Sequence, residues 1–174
     1  MHRLVLLHGW GADANDLMPI GEELRSGQMP PIEIMSLQAP QMHPGGLGRQ
    51  WYGLFPSKWE ELPYAVQSLK SRIEDLNNTD IPLEKTVVLG FSQGGAMAIE
   101  VGMQLPLAGV ISCSGYPHPH LQAKTKRPPV LLLHGTLDDV VPYKASQQLF
   151  STLRDKCELE IDLLTFEGGH CIPP

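Results

Sequence analysis

Thr86-Val87-Val88-Leu89-Gly90-Phe91-Ser92-Gln93-Gly94-Gly95-Ala96-Met97-Ala98-Ile99-Glu100 is the stretch on which the reading of this chain turns. Thr86–Leu89 is a short apolar, β-branched run of the kind that forms a buried strand, and Ala96–Glu100 is a good helix former. Between them, G-x-S-x-G places a serine on a strand–turn–helix, the setting a nucleophile elbow requires. Such a turn is sharp and strained, so the serine side chain projects from the end of the sheet. Gly90 and Gly94 are needed where larger side chains would collide across the turn. The helix that starts here also aims N–H groups at the serine. A glycine-rich turn with an incidental serine has the same local pattern, so the rest of the chain has to decide.

Working outward, Arg3–Leu7, Ile32–Leu37, Gly109–Cys113, Val130–Leu133 and Glu160–Thr165 also read as strands. Several are continuous apolar runs, as expected of parallel strands covered on both faces. Leu62, Val66, Leu69, Ile73 and Leu76 recur at spacings of four and three, which is one apolar face of a helix. Pro142 opens a second helix, with Ala145, Leu149 and Leu153 facing inward, and Leu17, Ile20 and Leu24 mark a shorter one. This alternation predicts an α/β fold: a mostly parallel sheet of about six strands with helices on both faces. Residues 38–59 show no period and carry Pro40, Pro44, Pro56 and several glycines. A loop of about twenty residues is unusual in a compact domain and often functional. Its aromatics favour packing against the body and a share in a substrate groove.

At 174 residues the expectation is a single domain spanning residues 1–174. Thirteen basic against nineteen acidic residues give a net charge of −6, which argues against nucleic acid or anionic lipid as partner. No apolar run reaches the roughly 18 residues a membrane helix needs, so the chain is not read as membrane-spanning. The N-terminal apolar stretch Leu4–Leu7 is too short for a secretory signal. Three cysteines (Cys113, Cys157, Cys171) suggest neither a disulfide framework nor a zinc site, and free thiols fit a cytoplasmic location.

A serine is a poor nucleophile without a base, and the base needs an orienting acid. Downstream of Ser92, Val130–Leu133 leads into His134-Gly135-Thr136-Leu137-Asp138-Asp139, two carboxylates just past a strand end. The last strand then runs into Glu167-Gly168-Gly169-His170. The order Ser, Asp, His at successive strand ends fits Ser92 as nucleophile, Asp138 as acid with Asp139 its close rival, and His170 as base. The alternative for either aspartate is that it is merely the cap before the Pro142 helix. His134 reads as structural, bonding near the acid loop, and His2 and His43 as exposed. His118 and His120 form an H-x-H pair, but no third ligand with useful spacing points to a metal.

An oxyanion needs two donors. The Gln93 N–H is one, and the His8-Gly9-Trp10-Gly11 loop offers the Trp10 N–H as the second, provided the first and third strands are neighbours. The same loop formally matches G-x-G-x-x-A across Gly9, Gly11 and Ala14, a dinucleotide fingerprint. That alternative lacks an acid at the end of the second strand, which runs Met35-Ser36-Leu37-Gln38.

Together these motifs resemble the α/β-hydrolase carboxylesterase/phospholipase family, which includes the acyl-protein thioesterases. The resemblance runs from His8-Gly9-Trp10-Gly11 through Gly90–Gly95, His134-Gly135 and Asp138–Pro142 to Gly169-His170, and takes in Gln38-Ala39-Pro40 and Gly45–Tyr52. It implies a cofactor-free and metal-free serine esterase or thioesterase, with Ser92, Asp138 and His170 as triad and Trp10 and Gln93 at the oxyanion positions. Its substrates would be short-chain acyl esters, lysophospholipids or S-acylated proteins. Trp51, Leu54 and Phe55 are the candidate substrate-binding residues, suited to an acyl chain. An exposed sheet edge would allow a homodimer. Three departures stand out: Asp139 replaces a frequent proline, few residues precede His8, and Cys171-Ile172-Pro173-Pro174 ends the chain where relatives add a helix. The chain is therefore expected to continue past Pro174 or to have an unusually mobile histidine loop. A non-catalytic binding module with a misassembled triad is the alternative from another class.

Overall fold

The structure is a computed structural model that describes residues 1–26, 31–78, 80–121, 128–157 and 160–173. Six strands form one sheet: β1 (His2–Leu7), β2 (Ile32–Leu37), β5 (Thr86–Phe91), β6 (Gly109–Cys113), β7 (Val130–Gly135) and β8 (Ile161–Phe166). Every pairing is parallel and the order is β2-β1-β5-β6-β7-β8. The chain leaves β1 toward β2, then returns across β1 to start β5 on the other side. The strand order therefore reverses between β1 and β5, the place where open α/β sheets bind ligands. The expected neighbourhood of the first and third strands is met, with Leu7 opposite Gly90. Phe91 lies opposite Cys113 and Gly135 opposite Phe166, so the loops after β1, β5, β7 and β8 all open on the same edge.

Period-two alternation sorts each strand between two apolar layers. Val5, Leu7, Val88, Val110, Val130 and Leu132 face one layer, where α2 (Leu62–Asp75), α3 (Gln93–Gly102) and α4 (Lys144–Cys157) pack. Leu4, Leu6 and Leu89 face the other, against Leu17, Met18 and Ile20 at α1 (Met18–Arg25). Helix α2 buries Leu62, Val66, Leu69 and Ile73 as their spacing predicts. Each such side chain, fully withdrawn from water, contributes about 1.5–3 kcal/mol. Helix α4 begins two residues after Pro142, whose carbonyl accepts the Ala145 N–H, and buries Leu149 and Leu153. All ten residues of α3 are buried, which accounts for its apolar composition.

Three strands run one or two residues past their predicted ends, because register with a neighbour holds Gly90, Phe91, Gly135 and Phe166 in extended pairing. A larger difference concerns residues 38–59. They contain an antiparallel hairpin of β3 (Gln41–Met42) and β4 (Arg49–Gln50), too short to leave a period in the sequence. The hairpin is tied to the loop after β1 by Gly11 N–H donating to the Arg49 carbonyl (2.8 Å) and Arg49 N–H donating to the Ala12 carbonyl (2.7 Å). Among the described residues no helix is long and apolar enough to cross a membrane.

Candidate active site

Strand β5 ends at Phe91, α3 begins at Gln93, and Ser92 alone turns the chain. Its backbone takes φ 54°, ψ −116°, a conformation that costs about 1–3 kcal/mol and survives only when its surroundings enforce it. Here Ser92 N–H donates to the Cys113 carbonyl (2.8 Å) and the Ser92 carbonyl accepts from Ala96 N–H (3.0 Å). A Cβ on Gly90 would overlap the Gly94 carbonyl, and one on Gly94 the Leu7 carbonyl. The two glycines let β5, α3 and β1 close around the turn.

His170 comes from the loop after β8. That loop is pinned to the loop after β7, with Thr136 N–H on the Phe166 carbonyl and Leu137 N–H on the Gly168 carbonyl, both at 2.9 Å. The imidazole stacks beside Phe91, ring centres 4.8 Å apart. Its Nε2 lies 3.0 Å from Ser92 Oγ and its Nδ1 2.7 Å from Asp138 Oδ2. The other oxygen of Asp138 accepts the N–H groups of Val140 (3.0 Å) and Val141 (2.8 Å). Burial alone would push the Asp138 carboxyl up. The hydrogen bonds from His170, Val141 and Val140 outweigh it and hold the group below its ordinary value. The structure thus brings Ser92, His170 and Asp138 into one hydrogen-bonded chain, and leaves Asp139 exposed. Asp138 also caps: its Oδ1 closes the turn before α4.

Two residues next to this chain of groups carry backbone N–H donors: Gln93 adjoins Ser92, and Trp10 lines the same cavity as Ser92 and His170. Gln93 heads α3, and first-turn N–H groups of a helix have no intrahelical acceptor. Trp10 lies in the loop after β1, and among the described residues nothing accepts its N–H. The preceding peptide is oriented by His8, a fully buried ring with Nδ1 2.8 Å from the Gly9 carbonyl and Nε2 accepting Ala39 N–H at 3.1 Å. Burial is the main cause of its lowered pKa, so the neutral ring is favoured. The Gln93 side chain clamps the hairpin segment, accepting Trp51 N–H (3.0 Å) and donating to the Tyr52 carbonyl (2.8 Å).

The chain as a whole is similar to known proteins. Residues 2–174 match the phospholipase/carboxylesterase family. The chain belongs to that family. An acyl-protein thioesterase 1 homolog of Dictyostelium discoideum is 26% identical, covering 98% of this chain and 84% of the relative. The acyl-protein thioesterase 1 of Yarrowia lipolytica is 27% identical over 80% of this chain and 70% of its own length. Among solved structures, esterase PE8 superposes with a TM-score of 0.88 at 31% identity, over 99% of this chain and 86% of that one. Arabidopsis thaliana SOBER1 shares the fold at a TM-score of 0.84 and 22% identity, over 99% of this chain and 91% of that one. The protein is an enzyme of the esterase and thioesterase class.

In this family member a cavity of about 200 Å³ opens at Ser92 and His170, walled by Trp10, Leu54, Phe55, Tyr116, Val140 and Val141. Leu54 and Phe55 line this cavity. Trp51 does not, which corrects its assignment as a substrate-binding residue. Its side chain is 1% exposed and its indole N–H donates to the His8 carbonyl at 2.9 Å, so it supports the loop after β1 from below. His43 also differs from expectation: it is half-buried, its ring 4.0 Å from Trp10. Sequence reasoning missed Tyr116, Val140 and Val141. Val140 and Val141 directly follow the acid pair, and that adjacency was the available signal. Tyr116 is set by long-range bonds that no local pattern reports: its hydroxyl lies 2.6 Å from that of Tyr52, which in turn lies 2.7 Å from His118 Nε2. His118 is buried behind this wall, against Tyr52, while His120 is exposed. Among the described residues no group of three His, Cys, Asp or Glu is placed to hold a metal ion. The Gly9–Ala14 stretch forms turns and α1 starts only at Met18, so no helix N-terminus stands over those glycines as a dinucleotide loop requires.

Proposed function

We propose that the protein hydrolyses carboxylic esters or thioesters of short acyl groups through an acyl-enzyme on Ser92. The observation that carries this is the chain Ser92 Oγ–His170–Asp138, at 3.0 and 2.7 Å, at a cavity also lined by Trp10, whose N–H has no acceptor among the described residues. His170 Nε2 takes the Ser92 proton as Oγ attacks the acyl carbon. Asp138 holds the ring with Nδ1 protonated and stabilises the imidazolium that forms. The Trp10 and Gln93 N–H groups donate to the oxyanion, a contribution of about 2.7–4 kcal/mol for each donor in comparable sites. The tetrahedral intermediate collapses, His170 gives its proton to the departing alcohol or thiol, and water repeats the sequence to release the acid. An assembled hydrogen-bonded chain argues against a binding-only module.

A cavity of about 200 Å³ is small beside the roughly 300–1,000 Å³ of typical ligand sites. It favours a short acyl group buried against Trp10, Leu54 and Phe55, with the bulk of the leaving group outside. Names of the relatives add weight to a thioester, a lysophospholipid or S-acylated protein being the larger substrates compatible with that geometry. Cys113 and Cys171 are free thiols, which fits a cytoplasmic enzyme. The test is a chain-length series of p-nitrophenyl esters and matched thioesters, run with the natural chain and with Ser92→Ala. Turnover peaking at short acyl groups and abolished by Ser92→Ala is expected. Turnover that survives Ser92→Ala, or none across both series, overturns the reading.

A further inference from the structure

His134 plays no part in the steps above, yet it is fully buried against the acid they use. It lies on β7, four residues before Asp138, and both side chains are 0% exposed. Its Nε2 faces two groups of the acid loop, the Val141 carbonyl at 2.8 Å and Asp138 Oδ2 at 3.3 Å. Both are acceptors and neither has a proton to give, so Nε2 carries the hydrogen. Its Nδ1 lies 2.6 Å from Ser146 Oγ on α4, a buried hydroxyl free to rotate and donate. Tyr143 is the other titratable group against the ring, with centres 5.9 Å apart, and His170 lies beyond Asp138.

We propose that His134 is a positioning residue for the acid, sharing its Nε2–H between the Val141 carbonyl and Asp138 Oδ2. This inference rests on the triad reading. Asp138 Oδ1 is already fixed by two N–H groups of its own loop. His134 anchors that loop to a rigid strand and stands over the side of Oδ2 that His170 leaves open. The carboxylate therefore keeps one orientation through the cycle. The second consequence is electrostatic. A donor on Oδ2 withdraws charge that would otherwise stabilise the His170 imidazolium, so the base returns its proton to the leaving group more readily.

The experiment compares His134→Phe, which keeps a ring but no N–H, with His134→Gln, whose carboxamide N–H reaches toward the same acceptors. A hydrogen bond to a charged partner is worth about 10- to 100-fold in rate when lost. His134→Phe is expected to lower kcat by that amount and to move the acid limb of kcat/KM toward higher pH. His134→Gln is expected to recover most of both. A folded His134→Phe with an unmoved acid limb, or a His134→Gln no better than it, overturns the proposal. Should His134→Phe fail to fold, ¹⁵N NMR of the natural chain reads the tautomer directly and needs no turnover. Protonation on Nε2, with Nδ1 as acceptor, is required; an Nδ1–H tautomer overturns the proposal even if Ser92 is the nucleophile.

Discussion

Gly94→Ala tests how the fold would build the proposed oxyanion site. Gly94 is the second residue of α3, and its Cα backs onto the end of β1. An added Cβ would overlap the Leu7 carbonyl and stand 2.5 Å from the His8 carbonyl oxygen, where real Cβ atoms keep at least 3.0 Å. The end of β1 must therefore retreat by the difference, 0.5 Å or more. Leu7 and His8 are both fully buried, so there is no slack on their far side. Trp10, two residues beyond His8, moves with them. Overpacking of this kind costs about 1–3 kcal/mol of stability. A misplacement of about 1 Å costs roughly 100-fold in rate, so kcat should fall about 10- to 100-fold. KM should change less, because oxyanion donors act mainly on the transition state. The assay is steady-state hydrolysis of p-nitrophenyl acetate alongside thermal melting. Gly46→Ala is the control: its φ of +79° makes alanine cost about 1 kcal/mol, but nothing lies within 4 Å and kcat should hold. A Gly94→Ala enzyme within twofold of the natural kcat would refute the reasoning.

Other perturbations separate the remaining roles. Asp138→Asn should lower kcat by roughly four orders of magnitude by stabilising the wrong imidazole tautomer, while the exposed Asp139→Asn should stay within about twofold in the same ester assay. Phe55→Ala should leave melting almost unchanged, since the ring is 72% exposed, yet raise KM severalfold because it walls the cavity and packs on Trp10 at 5.1 Å. Acidification should destabilise the fold in two stages by urea titration. Below the ordinary imidazole value of 6.5 the unfolded chain takes a proton that buried His8 refuses, so stability present above that pH is lost as pH falls. Asp138, also held low, adds a second loss below the ordinary carboxylate value of 3.8, as pH falls through its folded value. Unfolding free energy that stays flat from pH 7 to pH 5 would contradict the first stage.

The parallel sheet was legible because its strands are continuous apolar runs and its helices keep strict spacings. Leu62, Val66, Leu69 and Ile73 all pack where their period puts them. The meeting of Ser92, Asp138 and His170 at one edge was legible for a related reason: each follows a strand, and parallel strands bring all their C-terminal loops to one edge. The choice between Asp138 and Asp139 was not, since adjacent residues of a turn share every local signal and differ only in which side chain points at His170. Trp51 and Phe55 show the same limit. Both are aromatic residues of one segment, but a hairpin too short to leave a period sends Trp51 beneath the loop after β1 and leaves Phe55 at the mouth of the cavity. Tyr116 depends on contacts with Tyr52 and His118, and only the folded chain supplies those.

The central claim is that Ser92 is an activated nucleophile. A fluorophosphonate probe reacts covalently with such a serine and reports it without any assumption about substrate. Incubating the folded protein with the probe and mapping the adduct by peptide mass spectrometry should place one stoichiometric label on Ser92, lost in Ser92→Ala and strongly slowed in His170→Ala. An unlabelled Ser92, or labelling that persists in Ser92→Ala, would contradict the account.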